Sequence, residues 1–185
     1  MSSRSSHTRR KGRRRSRGGL IALAILLGVV MLGWLAYEMD WIGPGSTPTS
    51  PAYRVIIGDD EFVVELALTP RSRFRGLSNR ARLSPDQGML FVFPEPSDNA
   101  FVMRECYWPI DVAFIDAQRR IITIHQMQVE RDPKVPDEVL TRYPPDAPAT
   151  YVLEVLGGEL ARRGIRVGDR VEFSAAVRDK LDEAR

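Results

Sequence analysis

One stretch constrains this 185-residue chain more than any other: Gly18 to Tyr37, twenty residues without a charged side chain, rich in Leu, Ile, Val and Ala. As a helix rising about 1.5 Å per residue it spans about 30 Å, the thickness of a bilayer's hydrocarbon core. Eight basic residues precede it (Arg4, Arg9, Arg10, Lys11, Arg13, Arg14, Arg15 and Arg17), and no acidic residue occurs before Glu38. Basic flanks stay in the cytoplasm. The pattern therefore predicts a cytoplasmic tail over 1–17, a single transmembrane helix over 18–41, and export of everything beyond Trp41 into the periplasm or extracellular space. A cleaved signal peptide has a shorter apolar core, about 7–15 residues, and a small-x-small cleavage site. Gly33 to Trp41 offers no such site, and Trp34, Tyr37 and Trp41 read as an interfacial aromatic belt. A cleaved signal and a helix lying on the lipid surface are the alternatives to the uncleaved anchor. Arg9-Arg10 has the look of a twin-arginine signal, but Lys11-Gly12 continues it poorly. Abutting a span, the basic run reads as a partner of anionic lipid head groups rather than of nucleic acid.

The net charge of +3 hides an asymmetry. Eight of the 27 basic residues lie in the tail, so residues 38–185 keep 19 basic against 24 acidic side chains, a net of −5. A mildly acidic exported part argues against a general nucleic-acid binder. Cys106 is the single cysteine, which excludes an internal disulfide. The histidines are His7 and His125, no zinc-type Cys/His spacing occurs, and no metal or other cofactor is expected.

Residues 42–52 (IGPGSTPTSPA) are uncharged and rich in Pro, Gly, Ser and Thr, which makes them a linker. A domain follows over 53–177, with a charged, frayed tail over 178–185. It reads as mainly β. Tyr53–Ile57 and Glu61–Ala67 flank Gly58-Asp59-Asp60 as a hairpin, and further short apolar or alternating runs cover 89–93, 101–105, 110–116, 120–127, 150–156 and 170–174. About eight short strands broken by Pro, Gly, Asp and Asn predict a sandwich or jelly-roll-like domain. One or two short helices join them. Thr69 can cap one that begins at Pro70 and runs to about Leu77, and residues 158–163 can form another, stopped by Gly164. The segment 128–149 holds five prolines and reads as a functional loop or an irregular cover over a sheet edge.

Six blocks then arrive in order: Arg75-Gly76-Leu77-Ser78-Asn79-Arg80, Gly88-Met89-Leu90-Phe91-Val92-Phe93, Phe101-Val102-Met103-Arg104, the run from Pro109 to Asp116, Leu153-Glu154, and Gly164-Ile165-Arg166-Val167-Gly168-Asp169. This pattern resembles the domain of unknown function 192 family, also called uncharacterised protein family 0127, over essentially all of 53–175. The resemblance implies a compact, mainly β domain, often exported or membrane-tethered, with no established reaction. The chain departs from the family at Met103-Arg104-Glu105-Cys106, where Met-Lys-Asn-Thr is typical, and at Val102, where Trp is frequent.

The candidate polar site comprises Arg75, Met103, Arg104, Asp111 and Glu154. On a strand Asp111 shares a face with Ala113 and Ile115, in a run apolar on both sides, so it is expected to be buried and hydrogen-bonded. Arg75 and Arg104 are candidate partners, because a guanidinium meets a carboxylate with two bonds. The alternatives are an internal pair that fixes the fold and a pocket lining in which Asp111 is an acceptor or acid/base. Arg71 and Arg75 fall on one helix face and could receive an anion, although a solvated face is commoner. Arg75 is set apart because the family motif includes it. Glu154 alternates with apolar neighbours and offers a second inward carboxylate, and a glycosidase-like pairing with Asp111 depends on their separation. Cys106 with His125 is the minimal nucleophilic dyad, but the family's usual Thr excludes a family-wide thiol mechanism. Met89, Phe91, Phe93, Phe101 and Met103 read as core. No catalytic fingerprint appears.

The expectation is a membrane-anchored extracytoplasmic domain that acts as a ligand-binding or assembly module of the cell envelope. Its partners would be the bilayer, through 18–41, and a small anionic or sugar ligand. The alternative is a small envelope hydrolase using Asp111 and Glu154 with an arginine.

Overall fold

The computed structural model describes residues 52–184 apart from 133 and 134. The expected tail, membrane span and most of the linker lie outside the described residues. Among the described residues no helix is long and apolar enough to cross a membrane.

Seven strands form one sheet: β1 (Arg54–Ile57), β2 (Asp60–Ala67), β3 (Gln87–Ser97), β4 (Ile110–Ile115), β5 (Ile121–Met127), β6 (Ala149–Leu156) and β7 (Val171–Phe173). Their order is β5-β4-β6-β3-β2-β1-β7. Every neighbouring pair is antiparallel except β2–β3, whose parallel pairing requires a crossover. The first helix, α1 (Pro70–Arg75), lies in that crossover. Thr69 caps it as its sequence suggests. Its hydroxyl accepts from the Ser72 N–H at 3.1 Å, and the Ser72 hydroxyl oxygen accepts from the Thr69 N–H at 2.9 Å.

The sheet is not split into two stacked layers, as a sandwich would be. It curls until its two ends meet. An isolated bridge joins Arg120 to Arg170, the Val171 N–H donates to the Arg119 carbonyl at 2.8 Å, and the Ile121 N–H donates to the Asp169 carbonyl at 3.0 Å. Strand twist accumulates across seven strands, and closing the edges satisfies backbone groups that an open sheet would expose. All seven strands feed one apolar cluster that includes Val55, Phe62, Leu90, Ile115, Leu153 and Phe173, which marks the face enclosed by the curl. Leu160 of α2 (Glu159–Arg162) joins this cluster. A second cluster covers the outer face, with Ala67, Met89, Phe91, Val112, Phe114, Met127 and Val152 from five strands, together with Leu77, Met103 and Cys106 from the connections.

Two further sequence expectations are corrected. Residues 101–105 form no strand: Phe101 alone bridges to Tyr143, and Glu105 adopts φ 51°. Beyond β7 the chain does not fray but forms α3 (Ala175–Glu183), which buries Val177 and Leu181, one helical turn apart, in the inner cluster. The proline-rich segment 128–149 carries a 3-10 turn (Asp137–Val139) and straps the β5 side of the outer face. Thr123 Oγ1 donates to Asp146 at 2.9 Å, and His125 Nε2 lies 2.7 Å from the Pro144 carbonyl.

Candidate functional site

The outer face carries an open cavity of about 390 Å³. Its floor and one wall come from the central strands, through Phe91 of β3 and Glu154 of β6. The end of α1 and the turn after it, from Arg73 through Ser78, form a second wall, and the connection from Asn99 to Arg104 forms a third. Two lining rings, Phe91 and Phe101, meet edge to face with centroids 4.9 Å apart, and Phe101 packs likewise at 5.5 Å on Phe114, which is buried behind the lining.

Backbone geometry makes this opening possible. Gly76 ends α1 at φ 50°, ψ −134°, a conformation that favours glycine. A Cβ there would sit 3.7 Å from Glu154 Oε2 and 3.4 Å from the Phe91 ring. Gly88 lets β3 approach β6 so closely that an added Cβ would lie 2.4 Å from the Glu154 carbonyl oxygen. The Arg75-Gly76-Leu77 and Gly88-Met89-Leu90-Phe91 blocks thus supply the two glycines that bracket Glu154.

Glu154 is 4% exposed, and its Oε2 is buried with no hydrogen-bond partner. Burial pushes its carboxyl from 4.5 up to about 8, with the positive charge of Arg80 acting in the opposite direction. At neutral pH the group is therefore mostly a neutral carboxylic acid, able to donate its own proton. Arg80 itself grips Glu65 with two bonds of 2.7 and 2.5 Å. Cys106 also lines the cavity; burial, then the proximity of Glu154, pushes its thiol up to about 12. It donates to the Arg104 carbonyl at 3.3 Å and is un-ionised at neutral pH. His125 instead packs between Phe114 and Tyr143, its Nε2 held at the Pro144 carbonyl.

Three of the five candidate residues come together here: Arg75, Arg104 and Glu154 all line the cavity. Arg104 stacks 4.0 Å over the Phe74 ring and grips Asp137 through Nε (2.7 Å) and Nη2 (2.8 Å), tying the proline-rich strap to the rim. Its hydrogen bond holds the Asp137 carboxyl below the usual range. Arg73 lines the same wall and donates to the Leu68 and Val92 carbonyls at 2.7 and 2.9 Å.

The other two go elsewhere. Met103 is 1% exposed within the outer core. Asp111 is buried as expected, but neither arginine is the partner found. Its Oδ2 accepts from the Leu160 N–H at 2.9 Å, at the start of α2. The β4–β6 register sets Asp111 opposite Val155 and Val112 opposite Glu154. Neighbouring positions on a strand face opposite sides, so the two carboxylates lie on opposite faces of the sheet and cannot act as a pair. Asp137 had no local sequence signal, because its place at the rim depends on a contact 33 residues distant. The aromatic residues, read as core, serve as core and cavity wall at once. No group of three or more His, Cys, Asp or Glu suited to a metal occurs among the described residues.

The fold is a curled seven-stranded β domain whose candidate site is an aromatic cavity lined by Glu154. The chain belongs to the DUF192 family, described as "Uncharacterized ACR", whose pattern matches residues 54–173. No curated protein matches it. Two solved structures are similar. One is a proposed transcription regulator from Sinorhizobium meliloti 1021, 35% identical, covering 65% of this chain and 91% of that one with a TM-score of 0.55. The other is a protein of unknown function from Novosphingobium aromaticivorans DSM 12444, 33% identical, covering 70% and 92% with a TM-score of 0.55.

Proposed function

We propose that the domain is a ligand-binding module of the cell envelope, that its outer-face cavity holds a small molecule, and that residues 18–41 tether it to the cytoplasmic membrane with the domain outside. One observation carries the binding reading: an open cavity is lined by Glu154, whose buried Oε2 has no hydrogen-bond partner. Burying such a group uncompensated costs free energy that an apolar residue would avoid, so its presence on a central strand fits a partner that arrives from outside. The charge of −5 over 38–185 favours a small-molecule ligand over nucleic acid, even though one similar structure is described as a proposed transcription regulator.

A thermal-shift screen of the full-length protein against envelope sugars and organic anions tests the binding. A ligand of the folded form stabilises it by about RT ln(1 + [L]/Kd) and so raises Tm, and the rise should vanish when the cavity is filled by Ala100→Phe, at a lining residue. A ligand that stabilises parent and variant equally binds elsewhere and removes the argument. Protease added to sealed spheroplasts tests the topology. Digestion of residues beyond 52 is expected, and complete protection would overturn the tether.

The raised Glu154 carboxyl also favours a second reading, in which it serves as the general acid of a hydrolase with an arginine. Such an enzyme cannot use Asp111 as its second group, so turnover abolished by Glu154→Gln and retained in Asp111→Asn would support it.

A further inference from the structure

The three zones of the cavity differ in chemistry, and together they restrict what fits. Its walls are phenylalanine rings set edge to face, which favour a flat, apolar body. The wall toward solvent carries Arg73, Arg75 and Arg104, while Glu154 is the single acidic residue in the lining. Asp137 offsets the charge of Arg104, but Arg73 spends its hydrogen bonds on backbone carbonyls, which leave its positive charge in place. At the inner end lies Glu154, its Oε2 buried without a partner beside Gly76.

Resting on the binding role proposed above, we propose that the cavity selects a small aromatic hydroxy-acid: its ring lies against Phe91 and Phe101, its carboxylate meets the arginine side, and an oxygen acceptor at its far end takes a hydrogen bond from Glu154. Three competing classes fit less well. An amine would have to pass three guanidiniums and find an ionised carboxylate, whereas burial pushes Glu154 up to about 8 and keeps it protonated at neutral pH. A sugar's hydroxyls could meet polar groups at the rim but would face the rings of Phe91, Phe93 and Phe101 inside, and the Ser78 hydroxyl already donates to the Arg104 carbonyl at 2.8 Å. Unmatched hydroxyls on a buried ligand lose affinity. A purely apolar ligand would leave the Glu154 carboxyl as unsatisfied as it is now.

Three matched probes, titrated into the full-length protein by calorimetry at pH 7, test the assignment: 4-hydroxyphenylacetate, 4-methylphenylacetate and tyramine. The hydroxy-acid should bind best. Replacing its hydroxyl by methyl should weaken binding about three- to tenfold, the worth of one hydrogen bond. Replacing its carboxylate by the ammonium of tyramine should weaken it by about tenfold or more. Glu154→Leu, which swaps a partnerless carboxyl for an apolar side chain, should bind the hydroxy and methyl acids equally. Arg75→Gln, at an exposed side chain, should narrow the gap between acid and amine. Tyramine binding as tightly as the acids, or hydroxyl preference surviving in Glu154→Leu, overturns the ligand class while leaving a binding cavity in place. A sugar that stabilises the parent but not Ala100→Phe does the same. Failure of all three probes at millimolar concentration, together with an empty screen, overturns both the class and the binding role.

Discussion

Glu154→Gln keeps the shape of the side chain and removes its proton equilibrium. In the folded protein burial raises this carboxyl from 4.5 to about 8. The sign follows from which state holds the proton. Below pH 4.5 both folded and unfolded chains are protonated at this residue and it contributes no pH dependence. Between 4.5 and 8 the folded chain keeps its proton while the unfolded chain has lost it, so stability falls as pH rises, by about 1.4 kcal/mol per unit. Above 8 both are ionised and the loss is complete, on the order of 5 kcal/mol in all. Between pH 5 and 7 the parent should therefore lose about 3 kcal/mol from this group alone. Urea denaturation of parent and Glu154→Gln at several pH values isolates the effect, because every other titrating group is common to both. The difference in unfolding free energy should grow steadily in favour of the variant from pH 5 to 8 and then level off. A carboxylic-acid infrared band present in the parent at pH 7 and missing from the variant provides an independent check. Parallel stability curves would refute the reasoning, since they would mean that the carboxyl ionises in its ordinary range and has found a partner.

Three further perturbations probe other links. With its thiol pushed up to about 12, Cys106 is thiolate in about one part in ten thousand at pH 8, so a disulfide reagent should modify the native chain at least about a hundredfold more slowly than the urea-unfolded chain; equal rates would contradict the burial. Asp111→Ala strands the buried Leu160 N–H and should cost about 1–3 kcal/mol in a denaturation experiment, with Asp111→Asn milder and ligand binding retained in both. Binding lost without loss of stability would return Asp111 to the site. Gly88→Ala forces a methyl group to within 2.4 Å of the Glu154 carbonyl unless β3 and β6 separate, and should destabilise by about 1–3 kcal/mol; a neutral effect on Tm would show that the strands can part freely.

Several elements were legible in the residues because their causes are local. Alternation marks β2, where Phe62 and Val64 turn inward between exposed neighbours, and the two-residue Gly58-Asp59 turn joins it to β1. Thr69-Pro70 announces α1, and the unbroken apolar run 110–115 announces a strand buried on both faces. Where local pattern and tertiary pairing diverge, the reading fails. Residues 101–105 alternate like a strand, yet without a ladder partner only Phe101 pairs. The tail looked frayed because Arg178, Asp179, Lys180 and Asp182 dominate its composition, while Val177 and Leu181 alone supply the stripe that docks it.

Local residue patterns mark most of the segments that extend, the Gly58-Asp59 turn, the burial of Asp111 and membership of the DUF192 family, because these follow from side-chain chemistry acting over a few residues. Only the tertiary structure decided what each carboxylate does. A one-residue difference in ladder position sends Asp111 inward to the Leu160 N–H and Glu154 outward to the cavity floor, and nothing local to either residue encodes that parity. The closed curl likewise depends on Arg120 meeting Arg170 across 50 residues. Register and closure are set by the summed fit of seven strands, which no short stretch of chain contains.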